Sequence, residues 1–480
     1  MNNKFFKVIT CLVIIAVFTM SISTSYAKYY EKKDYTVAVS STSFEKLVTS
    51  SNNGQAITLP ETGYYAIILK GGDGADGLAQ KNAKLADSFT IPGGSGGIIA
   101  TVAKFNANTN LVPYIGNAAA NISKIGSSTS GATNSAIGSG GNGTTFKIDS
   151  SFNWGKQVVE WLSSYFTADN AGVGGGAASA LYVTSKSNSN LLSVAGGGGG
   201  SGSYDYDYRQ PEGYSVLIYT VYTCPSGTGG EGGSNVIGTK TSPINTGNGS
   251  DNNTGAPAGY AFSGIDGNDI SNTSSGGLSD GKYANTYVSI HSSGYDSNKP
   301  SYGKGGSTSG GAGGYVVSNS FESAGQASQG SNFANGGSGG NASQYGGGGG
   351  GGFCGGGGGN SASINISNGG GGGGSSYYAK NVPGTSNTVT SMPKSLFDEL
   401  LAKAGFSINE STVTPTIITS IDRSYSWGFF KSATYKTNQG SSWTFYHVSK
   451  GTSVNKNGFA YIIYLGPDDQ NTLNKINAYS

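Results

Sequence analysis

Charge is scarce in this chain. Only 11% of its 480 residues are Asp, Glu, Lys or Arg, too few to neutralise a phosphate backbone, so nucleic-acid binding is not expected. The basic and acidic residues number 28 and 26. They balance once Lys4 and Lys7 of the N-terminal segment are set aside, which leaves a nearly neutral protein. Histidine is rarer still. His291 and His447 are the only two, neither has a partner at metal-ligand spacing, and a zinc site is not expected. Of three cysteines, Cys11 lies within the N-terminal apolar segment, leaving Cys224 and Cys354 for the mature protein. One disulfide in an oxidising compartment and two buried thiols both remain open on residue grounds. No stretch after the N-terminal segment approaches the ~18 apolar residues of a membrane span. Aromatic residues, by contrast, are not lacking. The 30 Tyr and 19 Phe argue against a disordered chain, which would be aromatic-poor.

Met1–Ala27 reads as a secretory signal peptide. Lys4 and Lys7 supply its positive end, Val8–Met20 its apolar segment, and Ser25-Tyr26-Ala27 a small-x-small cleavage site. Cleavage after Ala27 predicts a secreted or cell-surface protein with no membrane span in the mature form. Residues 28–54 form a polar leader with one alternating stretch, Tyr35–Val39.

Residues 55–171 are expected to begin a β-fold. Leu59-Pro60-Glu61-Thr62-Gly63 marks a turn into the strand Tyr64–Lys70, and Gly97–Phe105 and Leu111–Ile115 follow. Leu181–Thr184 and Leu191–Ala195 are shorter β-compatible runs. Two helices are expected. Lys156–Phe166 sets Val158, Val159, Leu162 and Phe166 on one face, and Lys394–Ala404 does the same with Leu396, Phe397, Leu400 and Leu401. The last part, 381–480, returns to strands at Thr414–Ser420, Trp427–Lys431, Ser442–Val448 and Phe459–Leu465. Strands before and after residues 172–380 suggest one β-sandwich with a long insertion.

That insertion is dominated by glycine. Between Gly172 and Gly374 lie 58 of the chain's 83 glycines, with the longest runs at Gly196–Gly200, Gly346–Gly352, Gly355–Gly359 and Gly369–Gly374. There is no Gly-X-Y period, so a collagen helix is excluded. A flexible linker is one reading. The other is a bundle of extended, polyproline II-type helices whose bare backbones pair with one another. Phe353, Cys354, Ile364, Ile366, Tyr377 and Tyr378 sit at the joints of the runs, where a bundle needs apolar anchors.

In its order of motifs the chain resembles the glycine-rich domain family, as found in the extracellular regions of anaplastic lymphoma kinase and leukocyte tyrosine kinase. The matching pieces are Leu59–Ile67 leading into Gly71-Gly72, then Leu111–Gly116, Leu191–Gly200, Gly346–Gly374 with its cysteine, and Asn457–Ile463. The resemblance implies a tumour-necrosis-factor-like β-sandwich with an inserted polyglycine bundle, and a bridge between Cys224 and Cys354. The chain has no kinase and none of the family's other cysteines, so receptor signalling is not implied.

Chemical motifs are sparse. Gly72-Asp73-Gly74-Ala75-Asp76-Gly77 has the form of a dinucleotide fingerprint, but no acidic residue ends the next strand, and a strand-to-loop turn is the plainer reading. Gly71–Ala79 also matches one calcium-binding nonapeptide. A single copy lacks the stacked neighbours such sites need, so Asp73 and Asp76 are at most weak calcium candidates. Asp205 and Asp207 are a second, equally plain set of loop acids. No nucleophile elbow or distinctive carboxylate pair is present, and no cofactor is expected. Tyr204, Tyr206, Tyr208 and Arg209 form the densest aromatic cluster and are the expected binding surface. The sum is a non-catalytic, exported interaction module, in adhesion or matrix, binding an extracellular protein or glycan. The alternatives are a passive spacer or coat protein, and a secreted hydrolase with an unrecognised site.

Overall fold

The computed structural model describes residues 44–82, 85–121, 128–133, 137–144, 172–202, 228–236, 243–245, 259–263, 303–313, 315–316, 325–326, 328–332, 337–343, 346–360, 369–413, 416–426, 429–439 and 443–479. Over these residues the fold is mainly β, with three antiparallel sheets of three or more strands, three separate two-stranded ribbons and two short α-helices. The expected helix Lys156–Phe166 lies outside the described residues.

The first sheet has five strands. Gly63–Lys70 lies at its centre, paired with Ile98–Phe105 on one side and Phe459–Pro467 on the other. Val389–Ser391 and Glu45–Val48 form the two edges. The range expected as a polar leader therefore contains a strand, whose Val48 is fully buried. Both faces of the central strand are covered, which explains why its sequence runs almost continuously apolar. Tyr65, Ile67 and Leu69 face a core shared with the second sheet, together with Phe105, Ile462, Leu111, Leu181 and Tyr378. Ala66 and Ile68 face the opposite way, onto the helix Lys394–Lys403 through Leu396, Phe397, Leu400 and Leu401.

The second sheet has seven strands, with Asn110–Tyr114, Ser179–Val183, Leu191–Ala195 and Ser376–Ala379 in its middle. Thr184, at φ +68°, takes a conformation that β-branched residues rarely adopt and ends the strand one residue earlier than expected. One face of this sheet meets the first sheet. Its other face carries Tyr182, Val194 and Tyr377, which pack with Phe353 and Cys354 of the glycine region. The Phe353 and Tyr377 rings stack with centroids 4.6 Å apart, so of the apolar residues expected at the joints Phe353, Cys354 and Tyr377 pack together there, whereas Tyr378 faces the core shared with the first sheet and Ile364 and Ile366 lie outside the described residues.

Each strand expected in the last part of the chain overlaps an observed one, but they do not all join one sandwich. Among the described residues of this part, only Val389–Ser391 and Phe459–Pro467 join the first sheet. Phe406–Val413 and Trp443–Lys450 pair with each other, with Ser453–Val454 added, as a third sheet. Between them Thr416–Ser426 and Phe429–Gln439 pair as a ribbon. The ribbon is thus nested between the two strands of the third sheet, and this local pairing takes the place of the long-range return that a sandwich strand would need.

The glycine runs are buried and are joined neither as helix nor as sheet. Their amide bonds follow a rule. Gly197 and Gly200 donate to Gly351 and Gly348, Gly198 and Ser201 to Gly72 and Ala75, and Gly199 to Gly230. The run Gly346–Gly352 repeats it: Gly347 and Gly350 donate to Gly369 and Gly372, Gly348 and Gly351 to Val173 and Gly176, Gly349 and Gly352 to Gly340 and Gly337. Every third amide thus addresses the same neighbouring segment. A Cβ at Gly350 would fall 2.1 Å from the Gly197 carbonyl oxygen, and one at Gly198 would fall 1.9 Å from that of Gly94. No side chain fits at either position.

Candidate functional site

Where the central strand Gly63–Lys70 enters the glycine region, a buried polar junction forms. Lys70 is fully buried, and its ammonium donates to Asp73 Oδ1 at 2.5 Å, to the Gly71 carbonyl at 3.0 Å and to the Lys456 carbonyl at 3.2 Å. All three of its donors are used. Asp73 Oδ1 also accepts from the Gly96 amide at 2.8 Å. Burial pushes the Asp73 carboxyl above the ordinary carboxylate range, and the Lys70 ammonium acts in the opposite sense. Asp76 is held separately: its Oδ2 pairs with the Lys456 ammonium and its Oδ1 accepts from the Gly93 amide. The two weak calcium candidates are therefore each held by a lysine. No group of three or more Asp, Glu, His or Cys suited to a metal occurs among the described residues. Gly72 and Gly74, which gave the segment its dinucleotide-like form, pack against carbonyl oxygens of Asn117 and Gly199.

A second site lies at the surface. The helix Lys394–Lys403 and the edge strand Phe406–Val413 enclose a groove of about 610 Å³, within the range of small-ligand sites. Val236, Leu401 and Phe406 form its buried floor, and Ala402, Ile408 and Tyr446 its walls. Lys394 and Asp398, one helical turn apart and ion-paired, stand at its rim beside Ser407. Phe406 is fixed from behind by stacking on Phe459, with centroids 4.4 Å apart. The groove is tied to the glycine region by Glu231, whose Oε1 accepts from the Tyr446 amide at 3.1 Å. Burial raises the Glu231 carboxyl above the usual range. The Tyr446 amide pulls it back, and the nearby Asp73 charge adds to the rise.

Tyr204, Tyr206, Tyr208 and Arg209, the expected binding surface, lie outside the described residues, as do Asp205, Asp207 and Cys224. Cys354 is buried beneath the second sheet. Sequence reasoning missed the groove. The Lys394–Asp398 spacing was legible as a helix surface pair, but nothing local announced that a strand after Gly405 would turn back along it. The link between Glu231 and Tyr446, 215 residues apart, left no sequence signal.

The chain was compared with protein-family models, with curated proteins and with solved structures, and it matches none of them. Among the described residues no helix is long and apolar enough to cross a membrane.

Proposed function

We propose that the chain is an exported, non-catalytic interaction module of a cell surface or matrix. In this reading a tumour-necrosis-factor-like β-sandwich carries a bundle of polyproline II-type glycine helices, and the surfaces held on that scaffold bind an extracellular protein or glycan. The observation that carries it is the three-residue recurrence of amide partners in the runs Gly197–Ser201 and Gly347–Gly352. A β-strand alternates between two directions, whereas a polyproline II helix has three residues per turn. A run whose successive amides address three neighbours in rotation fits the second geometry. The order of glycine and strand motifs shared with the glycine-rich domain family supports the same reading.

Such a core explains why so much glycine is retained. Each ordered glycine costs about 1–2 kcal/mol of backbone entropy, and a packed bundle offsets this by satisfying amides across many close neighbours. The product is a stiff block able to present loops and grooves without moving them. The signal-peptide reading of Met1–Ala27 places that block outside the cell.

The test is saturable retention of the purified mature protein on intact cells or matrix of its own source. The reading expects retention that unlabelled protein competes away. No retention, together with robust hydrolytic turnover by the purified protein, would contradict it.

A further inference from the structure

Among the described residues, Lys70 and Asp73 are the only charged residues buried to this depth, Lys70 fully and Asp73 to 5% exposure. The chain between them is pinned. The Gly71 amide donates to Gly97, that of Gly72 to Ala177, that of Asp73 to Lys456 and that of Gly74 to Gly94, none longer than 3.0 Å. The Lys70 carbonyl accepts from Ser179 Oγ. The two side chains are thus held facing each other at 2.5 Å. Two of the Lys70 Nζ contacts are to carbonyls, those of Gly71 and Lys456, and the third is to the Asp73 carboxyl.

We propose that Lys70 and Asp73 condense to an amide, an internal cross-link that the folded chain makes from its own side chains. The proposal is independent of the interaction-module reading. Holding two reactants in place removes the cost of their encounter, and well-oriented neighbours reach effective concentrations of about 10⁵ M or more. Burial adds to this, because it disfavours the ammonium and carboxylate forms that keep amines and acids apart in water. The Asp73 carboxyl is raised by that burial. The pair Lys394–Asp398 has the same two groups, but both side chains are more than half exposed, and water keeps it ionic.

The step balances without a co-reactant. The Lys70 ammonium passes one proton to Asp73 Oδ1 across their short contact. The neutral amine keeps two N–H donors for the Gly71 and Lys456 carbonyls and turns its lone pair to the acid. Nζ then attacks Cγ, a C–N bond forms, and Oδ2 takes the negative charge. A second proton passes from Nζ to Oδ1, which the Gly96 amide holds at 2.8 Å. The Cγ–Oδ1 bond breaks, water leaves, and Oδ2 becomes the amide carbonyl. The remaining N–H serves the Gly71 carbonyl, while that of Lys456 keeps the Asp73 amide. Nothing is oxidised or reduced. So short a loop yields little chain entropy when closed. What the reaction removes is the cost of keeping two opposite charges out of water.

Intact-mass spectrometry of the purified mature protein tests the proposal. The wild type should weigh one water less than its sequence. After denaturation Lys70 should resist both acetylation and tryptic cleavage, and fragmentation should place the loss between Lys70 and Asp73. Lys70→Arg should restore the full mass, and Lys46→Ala, on the distant edge strand, should not. If Lys70→Arg fails to fold, the acetylation of denatured wild type decides alone. Full sequence mass in the wild type overturns the proposal, as does a Lys70 that acetylates freely. A water loss that persists in Lys70→Arg overturns it too, since it assigns the loss to a cyclic imide at Asp73-Gly74 or Asp76-Gly77.

Discussion

Lys70 and Asp73 form an ion pair at 2.5 Å with both side chains buried, at the point where the central strand becomes glycine core. The pair links three segments. Lys70 reaches the Lys456 carbonyl, Asp73 holds the Gly96 amide, and the Asp73 amide donates to Lys456 as well. The chain puts one of its few charges where desolvation is most costly, and satisfies it fully.

Removing one partner should be far worse than removing both. Asp73→Ala leaves a buried ammonium without its counter-charge and is expected to cost about 3–5 kcal/mol. The double variant Lys70→Met with Asp73→Leu should recover most of that loss. Urea unfolding of the three proteins measures it. A single variant as stable as wild type would show that the pair does not hold the junction together.

The glycine core should be intolerant of even one methyl group. Gly350→Ala would set a Cβ 2.1 Å from the Gly197 carbonyl oxygen and is expected to cost about 3 kcal/mol or more through overpacking. Gly405→Ala meets nothing within 4 Å but sits at φ +77°, so only backbone strain of about 1 kcal/mol applies. Thermal melts of the two variants should separate by that difference.

Glu231 should make stability depend on pH. Its folded carboxyl is raised by burial first and by the Asp73 charge in addition. Between the ordinary glutamate pKa of about 4.3 and the higher folded value, the native state holds more protons than the unfolded one. Stability from this group therefore falls as pH rises through that window. Glu231→Gln keeps an oxygen for the Tyr446 amide and removes the charge. It should stabilise the protein at pH 7 and have little effect near pH 4. Melting temperatures across that range check the sign, and a variant less stable at pH 7 would refute it.

Local pattern revealed much of the fold. The apolar runs and turn residues around Gly63–Lys70 and Leu191–Ala195, and the apolar face of the helix Lys394–Lys403, were readable because each depends on neighbours in sequence. Glu45–Val48 was not, because its pairing with Ala460–Ile463 spans almost the whole chain. The last helix, Gln470–Asn477, was also overlooked. Its start was nonetheless marked by Asp469, whose carboxylate accepts from the Thr472 amide at 2.7 Å. Glycine runs carry no side-chain pattern at all, so composition alone left linker and bundle open, and only the apolar residues at the joints (Phe353, Cys354, Ile364, Ile366, Tyr377 and Tyr378) favoured packing. The groove escaped notice because it arises from a strand after Gly405 folding back on its own helix.

The central claim is that the glycine runs are a hydrogen-bonded solid, and amide hydrogen exchange at Gly197–Gly200 and Gly347–Gly351 tests it most directly. The account predicts slow exchange at these amides, lost together at the denaturant concentration that unfolds the β-sheets. Exchange at the rate of an unstructured peptide, with the sheets still intact, would contradict it.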